Sequence, residues 1–187
     1  MKTDVKFYRS IIGLAIITGV ILLIPLIAMQ YTDEVRWTIS DFVFAFILLF
    51  GTGLIYKFIT RKSIHVSYRI AIGFALFTGF FLIWANGAVG IIGSENNPVN
   101  LFYYGVIAVG IIGAITARFQ PNGLVYTMFA MALAQALVAA IALIGGTYQS
   151  PPTTVIEILG VNCLFITLFI VSAWLFRHAA NKDVEAI

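Results

Sequence analysis

The residues best equipped for chemistry in this chain are, with one exception, uncharged. The stretch Trp84-Ala85-Asn86-Gly87-Ala88-Val89-Gly90-Ile91-Ile92-Gly93-Ser94-Glu95-Asn96-Asn97-Pro98-Val99-Asn100 gathers the carboxamides of Asn86, Asn96, Asn97 and Asn100 and the carboxylate of Glu95 around three glycines. Oxygen groups of this kind suit a hard cation or a hydroxylated ligand. They also suit turn and cap chemistry, because Asn-Pro starts a turn and Asn100 is placed to cap a following helix. Capping is the role expected of this cluster. Two more amides, Gln135 and Asn162, fall inside long apolar runs. An amide in hydrocarbon costs several kcal/mol unless paired, so Asn86, Gln135 and Asn162 should face other helices. Two readings stay open for them: a polar pathway that opens outward, or hydrogen bonds between helices worth about 0.6 kcal/mol each on average. Thr18, Thr52, Thr78 and Thr167 fall near mid-depth in their runs, and bonding between helices is the expected role of each. Asn86, Glu95, Asn96, Asn97, Asn100, Gln135 and Asn162 form the candidate binding set.

Conventional reaction machinery is missing from the pattern. No Lys, Arg, Asp, Glu or His lies near the middle of an apolar run, although ion-coupled transport commonly uses such a group. His65 and His178 sit beyond the ends of their runs, so a bis-histidine haem site inside a bundle is not expected. No Ser-His-Asp, His-Glu-x-x-His, Cys-x-x-Cys or phosphate-loop pattern occurs. The expectation is no enzyme, with no catalytic residue, metal ligand or cofactor assigned.

The elements that must position these amides follow from composition. Of the 187 residues, 61% are hydrophobic and 10% charged. Soluble domains run near 45–50% and 25%, so lipid is the solvent that suits this chain. The fold class is an all-α membrane protein, a six-transmembrane-helix bundle in a single domain over 1–187. Its spans are read at about 11–29, 41–59, 70–93, 101–117, 124–146 and 157–176. Each is long enough to cross a hydrocarbon core of about 30 Å at about 1.5 Å per residue. The first run follows Lys2, Lys6 and Arg9 but is longer than a signal-peptide core and lacks a small-residue cleavage site, so it reads as an uncleaved span.

Ten of the eleven basic residues fall on one side of this layout, with only Arg36 on the other. The basic side is cytoplasmic, which puts both termini inside and explains the basic pI without nucleic acid. The tyrosines divide into an inner set (Tyr8, Tyr56, Tyr68, Tyr126) and an outer set (Tyr31, Tyr103, Tyr104, Tyr148), as an interfacial belt would. Residues 8–22 and 68–82 match at eight of fifteen positions, including Tyr8/Tyr68, Thr18/Thr78 and Gly19/Gly79. That spacing suggests a two-helix hairpin repeated in tandem. Small residues at Ala15/Gly19, Ala75/Gly79, Gly110/Ala114 and Ala132/Ala136/Ala140 suggest close helix packing inside the bundle.

The Trp84–Asn100 string, with Arg118-Phe119-x-Pro121-x-Gly123 and Ala134-Gln135-Ala136-Leu137-Val138 after it, resembles a family of uncharacterised small polytopic bacterial inner-membrane proteins. The resemblance covers about residues 40–178. It implies the bacterial cytoplasmic membrane and supplies no catalytic residues. Three functional classes stay open: a small permease or channel for a neutral or weakly polar solute, a non-catalytic accessory or scaffolding subunit, and a lipid-modifying enzyme acting beside Glu95 or Glu157. Expected partners are membrane lipids and a homo-oligomer or larger membrane complex. Reporter fusions at Asn181 and at Asn97 should report opposite sides of the membrane; the same side for both would overturn the topology.

Overall fold

Among the described residues every regular element is helical. The computed structural model describes residues 2–61, 63, 65–94, 96–146 and 154–185, with side chains from 7 to 182. Six helices follow in order: α1 Lys2–Tyr31, α2 Ile39–Thr60, α3 Val66–Ala88, α4 Leu101–Thr116, α5 Pro121–Ile144 and α6 Val155–Glu185. All six are long and apolar enough to cross a membrane. The protein is a multi-pass membrane protein. It forms two compact units, residues 1–61 and 62–187.

In the first unit, α1 is apolar all round, and Ile12, Ile16, Val20, Ile24 and Ile27 are all exposed. A helix of that kind is stable only where its surroundings are apolar too. It packs on α2, where Gly53 lies so close to Leu14 that a Cβ would stand 2.5 Å from its Cδ1. At the basic end, Lys57 Nζ donates to the carbonyl oxygen of Ser10 at 2.9 Å and to its hydroxyl, and the Arg61 guanidinium lies 4.5 Å over the Phe7 ring. At the other end, the Asp41 carboxylate accepts from the Thr38 N–H and hydroxyl, both at 2.7 Å, closing the first turn of α2.

The second unit is a four-helix bundle. Its largest interface joins α5 to α6, followed by α4 on α5 and α3 on α6, while α3 and α4 touch only lightly. On α6 the buried residues Ile158, Asn162, Phe165, Phe169, Ser172 and Phe176 recur at three- and four-residue steps, which places them on one face. Two glycines set the closeness of α4 and α5. A Cβ at Gly110 would stand 2.6 Å from Met131 Sδ, and one at Gly113 would stand 2.6 Å from Thr127 Cγ2. The α4–α5 turn carries two successive left-handed residues, Arg118 at φ 50° and Phe119 at φ 57°. Non-glycine residues adopt that region only when held there. Here the Tyr68 hydroxyl donates to the Phe119 carbonyl oxygen at 2.6 Å.

Several sequence expectations need correction. The third span ends at Ala88 rather than 93, because Gly90 (φ 70°) and Gly93 (φ 67°) take left-handed conformations and turn the chain back. Tyr68 and Tyr103 do not belong to an interfacial belt; both are buried, each with its hydroxyl hydrogen-bonded inside the second unit. Matched positions of the apparent repeat keep different surroundings. Tyr8 is exposed where Tyr68 is buried, and a Cβ at Gly19 would meet open space where one at Gly79 would touch Ile107. Thr18 and Thr78 are both buried. Of the Ala132/Ala136/Ala140 ridge, only Ala132 is buried; Ala136 is half-buried and Ala140 exposed.

The close α4–α5 contact yields a graded expectation. Gly113→Ala should lower stability by about 1–3 kcal/mol, because Thr127 is β-branched and its hydroxyl is bonded to the Gly123 carbonyl oxygen. Gly110→Ala should cost less, since the flexible Met131 can give way. Thermal unfolding of the two variants in detergent checks the order.

Candidate functional site

The amides singled out by sequence lie in the half of the second unit toward the end where α3 and α5 finish and α4 and α6 begin. That end is extracellular in the orientation read from the basic residues. The structure sorts them into a latch and an internal cluster.

Asn100 forms the latch. It stands at the start of α4 but does not cap it. Its side chain turns back to the loop that follows α3. Oδ1 accepts from the N–H groups of Ile91 at 3.2 Å and Ile92 at 2.9 Å, and Nδ2 donates to the carbonyl oxygens of Ile92 at 3.1 Å and Ser94 at 2.9 Å. This overturns the expected capping role. The glycine-rich loop has no ladder of its own, so its buried backbone groups need a partner, and one carboxamide supplies both donors and acceptors. Asn86, buried near the end of α3, donates from Nδ2 to the Asn100 carbonyl oxygen at 3.1 Å. The expectation that Asn86 faces the protein interior agrees with its burial, and this bond ties it to the residue that holds the loop.

Asn97 does the turn chemistry expected of it, its Oδ1 accepting from the Val99 N–H at 3.0 Å. Asn96 is exposed in the adjoining turn. Glu95 lies outside the described residues.

Gln135 on α5 and Asn162 on α6 form the internal cluster, and both are fully buried. Gln135 Nε2 donates to Asn162 Oδ1 at 3.0 Å. The same oxygen accepts from the Tyr103 hydroxyl at 3.2 Å, and Asn162 Nδ2 donates to the carbonyl oxygen of Ile158 at 2.8 Å. Tyr103 was missed as a site residue because tyrosines near helix ends usually sit at the membrane surface. The signal that could have found it is the spacing Asn100, Tyr103, Val106, a three-residue step that keeps side chains on one helix face.

The carbonyl partners fix which way each amide points. A backbone carbonyl oxygen can only accept, so Asn162 must turn its NH2 to Ile158 and its oxygen to the cluster. Gln135 must then present its NH2 to that oxygen. By the same logic Asn86 must give its NH2 to Asn100. The two remaining oxygens, Asn86 Oδ1 and Gln135 Oε1, are buried and have no hydrogen-bond partner. Such an acceptor costs about 1–3 kcal/mol while it stays unsatisfied. Each of the three NH2 groups is bonded through one hydrogen only, so the arrangement can accept hydrogen bonds at the two oxygens and donate through the second amide hydrogens.

The mid-depth threonines do not join the site. Thr52, Thr78 and Thr167 donate to Leu48, Phe74 and Cys163 carbonyl oxygens at 2.7, 3.0 and 2.8 Å, each four residues back on its own helix. The expected bonds between helices are replaced by this local one, which a helical hydroxyl reaches without a partner helix. Glu157 is likewise engaged at a helix start. Its carboxylate accepts from the Thr154 N–H at 2.8 Å, while its own N–H donates to the Thr154 hydroxyl at 3.3 Å, a reciprocal cap. Among the described residues no three His, Cys, Asp or Glu side chains come together as a metal site.

Comparison with protein-family models, with curated proteins and with solved structures returns no match to this chain.

Removing the latch should be far more damaging than removing the turn amide. Asn100→Ala leaves two N–H groups and two carbonyls unpaired and should cost about 2–4 kcal/mol. Asn97→Ala should cost about 1 kcal/mol or less. Thermal unfolding, together with the rate of limited proteolysis in the 89–97 loop, separates the two variants.

Proposed function

We propose that the protein is a small permease of the bacterial cytoplasmic membrane that admits a neutral or weakly polar solute from the outer side. The observation that carries this reading is the two buried acceptors without a protein partner, Asn86 Oδ1 at the loop and Gln135 Oε1 on the amide bonded to Asn162. A subunit that served only as a scaffold would gain nothing from two unsatisfied amides, and apolar residues of similar size would pack there at lower cost. The solute is neutral because every buried polar side chain described, from Thr18 to Ser172, is uncharged. An ion stripped of water in such surroundings would have no counter-charge.

The polar lining stops near Gln135. Beyond it, toward the basic end of the second unit, Met128, Phe169 and Phe176 fill the interior, and the buried hydroxyls of Thr78, Thr127 and Ser172 are bonded to their own helices. A buried polar layer covered by a latched loop on one side and backed by an apolar layer on the other supports a permease in a closed state. The protein's surface partner is the bilayer, and assembly with copies of itself or with other membrane proteins is compatible with this role.

The test is uptake of small neutral solutes into proteoliposomes, followed by light scattering under an osmotic step. The wild type should accelerate entry over empty liposomes. Asn86→Leu should reduce flux per folded molecule at least threefold. Wild-type flux equal to that of empty liposomes would overturn the permease reading and leave the accessory-subunit reading in its place.

A further inference from the structure

We infer that the basic end of the second unit is a docking surface for anionic phospholipid, with Arg69, Arg118 and Arg177 as the groups that receive the lipid phosphate. The inference stands apart from the permease reading. Three elements meet at that end. The Tyr68 hydroxyl of α3 donates to the Phe119 carbonyl oxygen of the α4–α5 turn at 2.6 Å, and the Tyr68 ring lies 6.2 Å from the Phe176 ring of α6. Each member of this contact has an arginine beside it in the chain: Arg69 after Tyr68, Arg118 before Phe119 and Arg177 after Phe176. Neighbouring Cα atoms are about 3.8 Å apart, so the contact holds the bases of three cationic side chains around one small area. Tyr68 and Phe176 are buried, while all three arginines are exposed.

The protein itself does not use these charges. Among the described residues, none of the three side chains has a hydrogen-bond or ion-pair partner. The described carboxylate of this unit, Glu157, stands in the first turn of α6, at the opposite end. The first unit differs, because there Lys57 is bonded to Ser10 and Arg61 lies over Phe7. Basic residues serve the fold in one unit and are left to the surroundings in the other. A guanidinium matches phosphate through paired N–H groups. Acidic lipids of the cytoplasmic leaflet attract such residues, and this end faces that leaflet in the orientation read from the basic residues.

The surface fits a lipid rather than a soluble anion because apolar side chains continue from the arginines into the spans. Ile70, Ile115 and Trp174 lie one, three and three residues deeper than Arg69, Arg118 and Arg177 (70 − 69, 118 − 115, 177 − 174), and they are 56%, 62% and 65% exposed. A phosphate carried on acyl chains matches both halves of the surface. A soluble anion matches only the charged half.

The experiment places the full-length protein in bilayers of mixed phosphatidylglycerol and phosphatidylcholine, with bromine on the acyl chains of one lipid or the other. Bromine quenches tryptophan on contact. Trp174 reports on this end, and the quenching lost in Trp174→Phe isolates its signal from Trp37 and Trp84. Brominated phosphatidylglycerol should quench Trp174 as though enriched about fivefold or more over the bulk bilayer. Arg118→Gln/Arg177→Gln and Arg69→Gln/Arg177→Gln should each abolish the enrichment. Lys2→Gln/Arg9→Gln removes as many charges from the first unit and should leave it unchanged. No enrichment in the wild type, or an equal loss in all three double variants, would overturn the inference. Where one of the site variants fails to insert, the other decides. Inorganic phosphate that relieves the quenching more than sodium chloride at equal ionic strength would assign the arginines to a soluble anion and overturn the lipid assignment as well.

Discussion

Hydrocarbon offers no hydrogen bonds, and nearly every polar feature of this protein answers to that absence. Hydroxyls in the spans turn back to carbonyls of their own helices, as at Thr52, Thr78, Thr116, Thr127, Thr167 and Ser172. Carboxylates stay at helix starts, where Asp41 and Glu157 accept from backbone N–H groups. The loop after α3, which leaves helical geometry at two glycines, recovers its missing partners from one side chain, Asn100. Against so complete a pattern of satisfaction, the bare oxygens of Asn86 and Gln135 are the exception, and the functional argument rests on them.

Much of the fold was legible in the sequence because the signal is compositional. Runs of about twenty apolar residues can do little other than span a bilayer, and the six helices lie where hydropathy puts them. Burial of Asn86, Gln135 and Asn162 was legible for the same reason, since lipid is intolerant of amides. Pairing was not. Nothing in the letters says that Asn162 meets Tyr103 and Gln135, because that depends on which helices are neighbours and how each is rotated. The capping role read for Asn100 failed because its side chain had two sets of backbone groups within reach, and the loop, with no other partners, had the greater need. Bonding between helices was expected of the threonines because the sequence shows depth but not the local carbonyl each hydroxyl already touches.

The hairpin repeat shows the same limit. Identical residues at 8–22 and 68–82 predict identical local conformation, and both segments are helical. Packing follows neighbours rather than letters. In the second unit α3 leans mainly on α6, a helix distant in sequence, instead of on α4, which follows it. Tyr68 is therefore drawn inside to hold the strained turn at Phe119, while Tyr8 stays exposed.

The light contact between α3 and α4 has a mechanical meaning. Glycine-mediated contact binds α4 to α5, and the buried face of α6 binds α5 in turn, so these three helices resist separation as a block. The bundle has one seam, and it runs between α3 and α4. Near one end run the Asn86–Asn100 bond and the four bonds by which Asn100 holds the loop after α3, and near the other the bond from Tyr68 to Phe119 in the α4–α5 turn. A rearrangement that parted the seam at the Asn86 end would swing α3 about its contact with α6, release the Asn86 amide, and either carry the loop held by Asn100 with α4 or break that latch. The fold concentrates its compliance along one line, and that line passes Asn86.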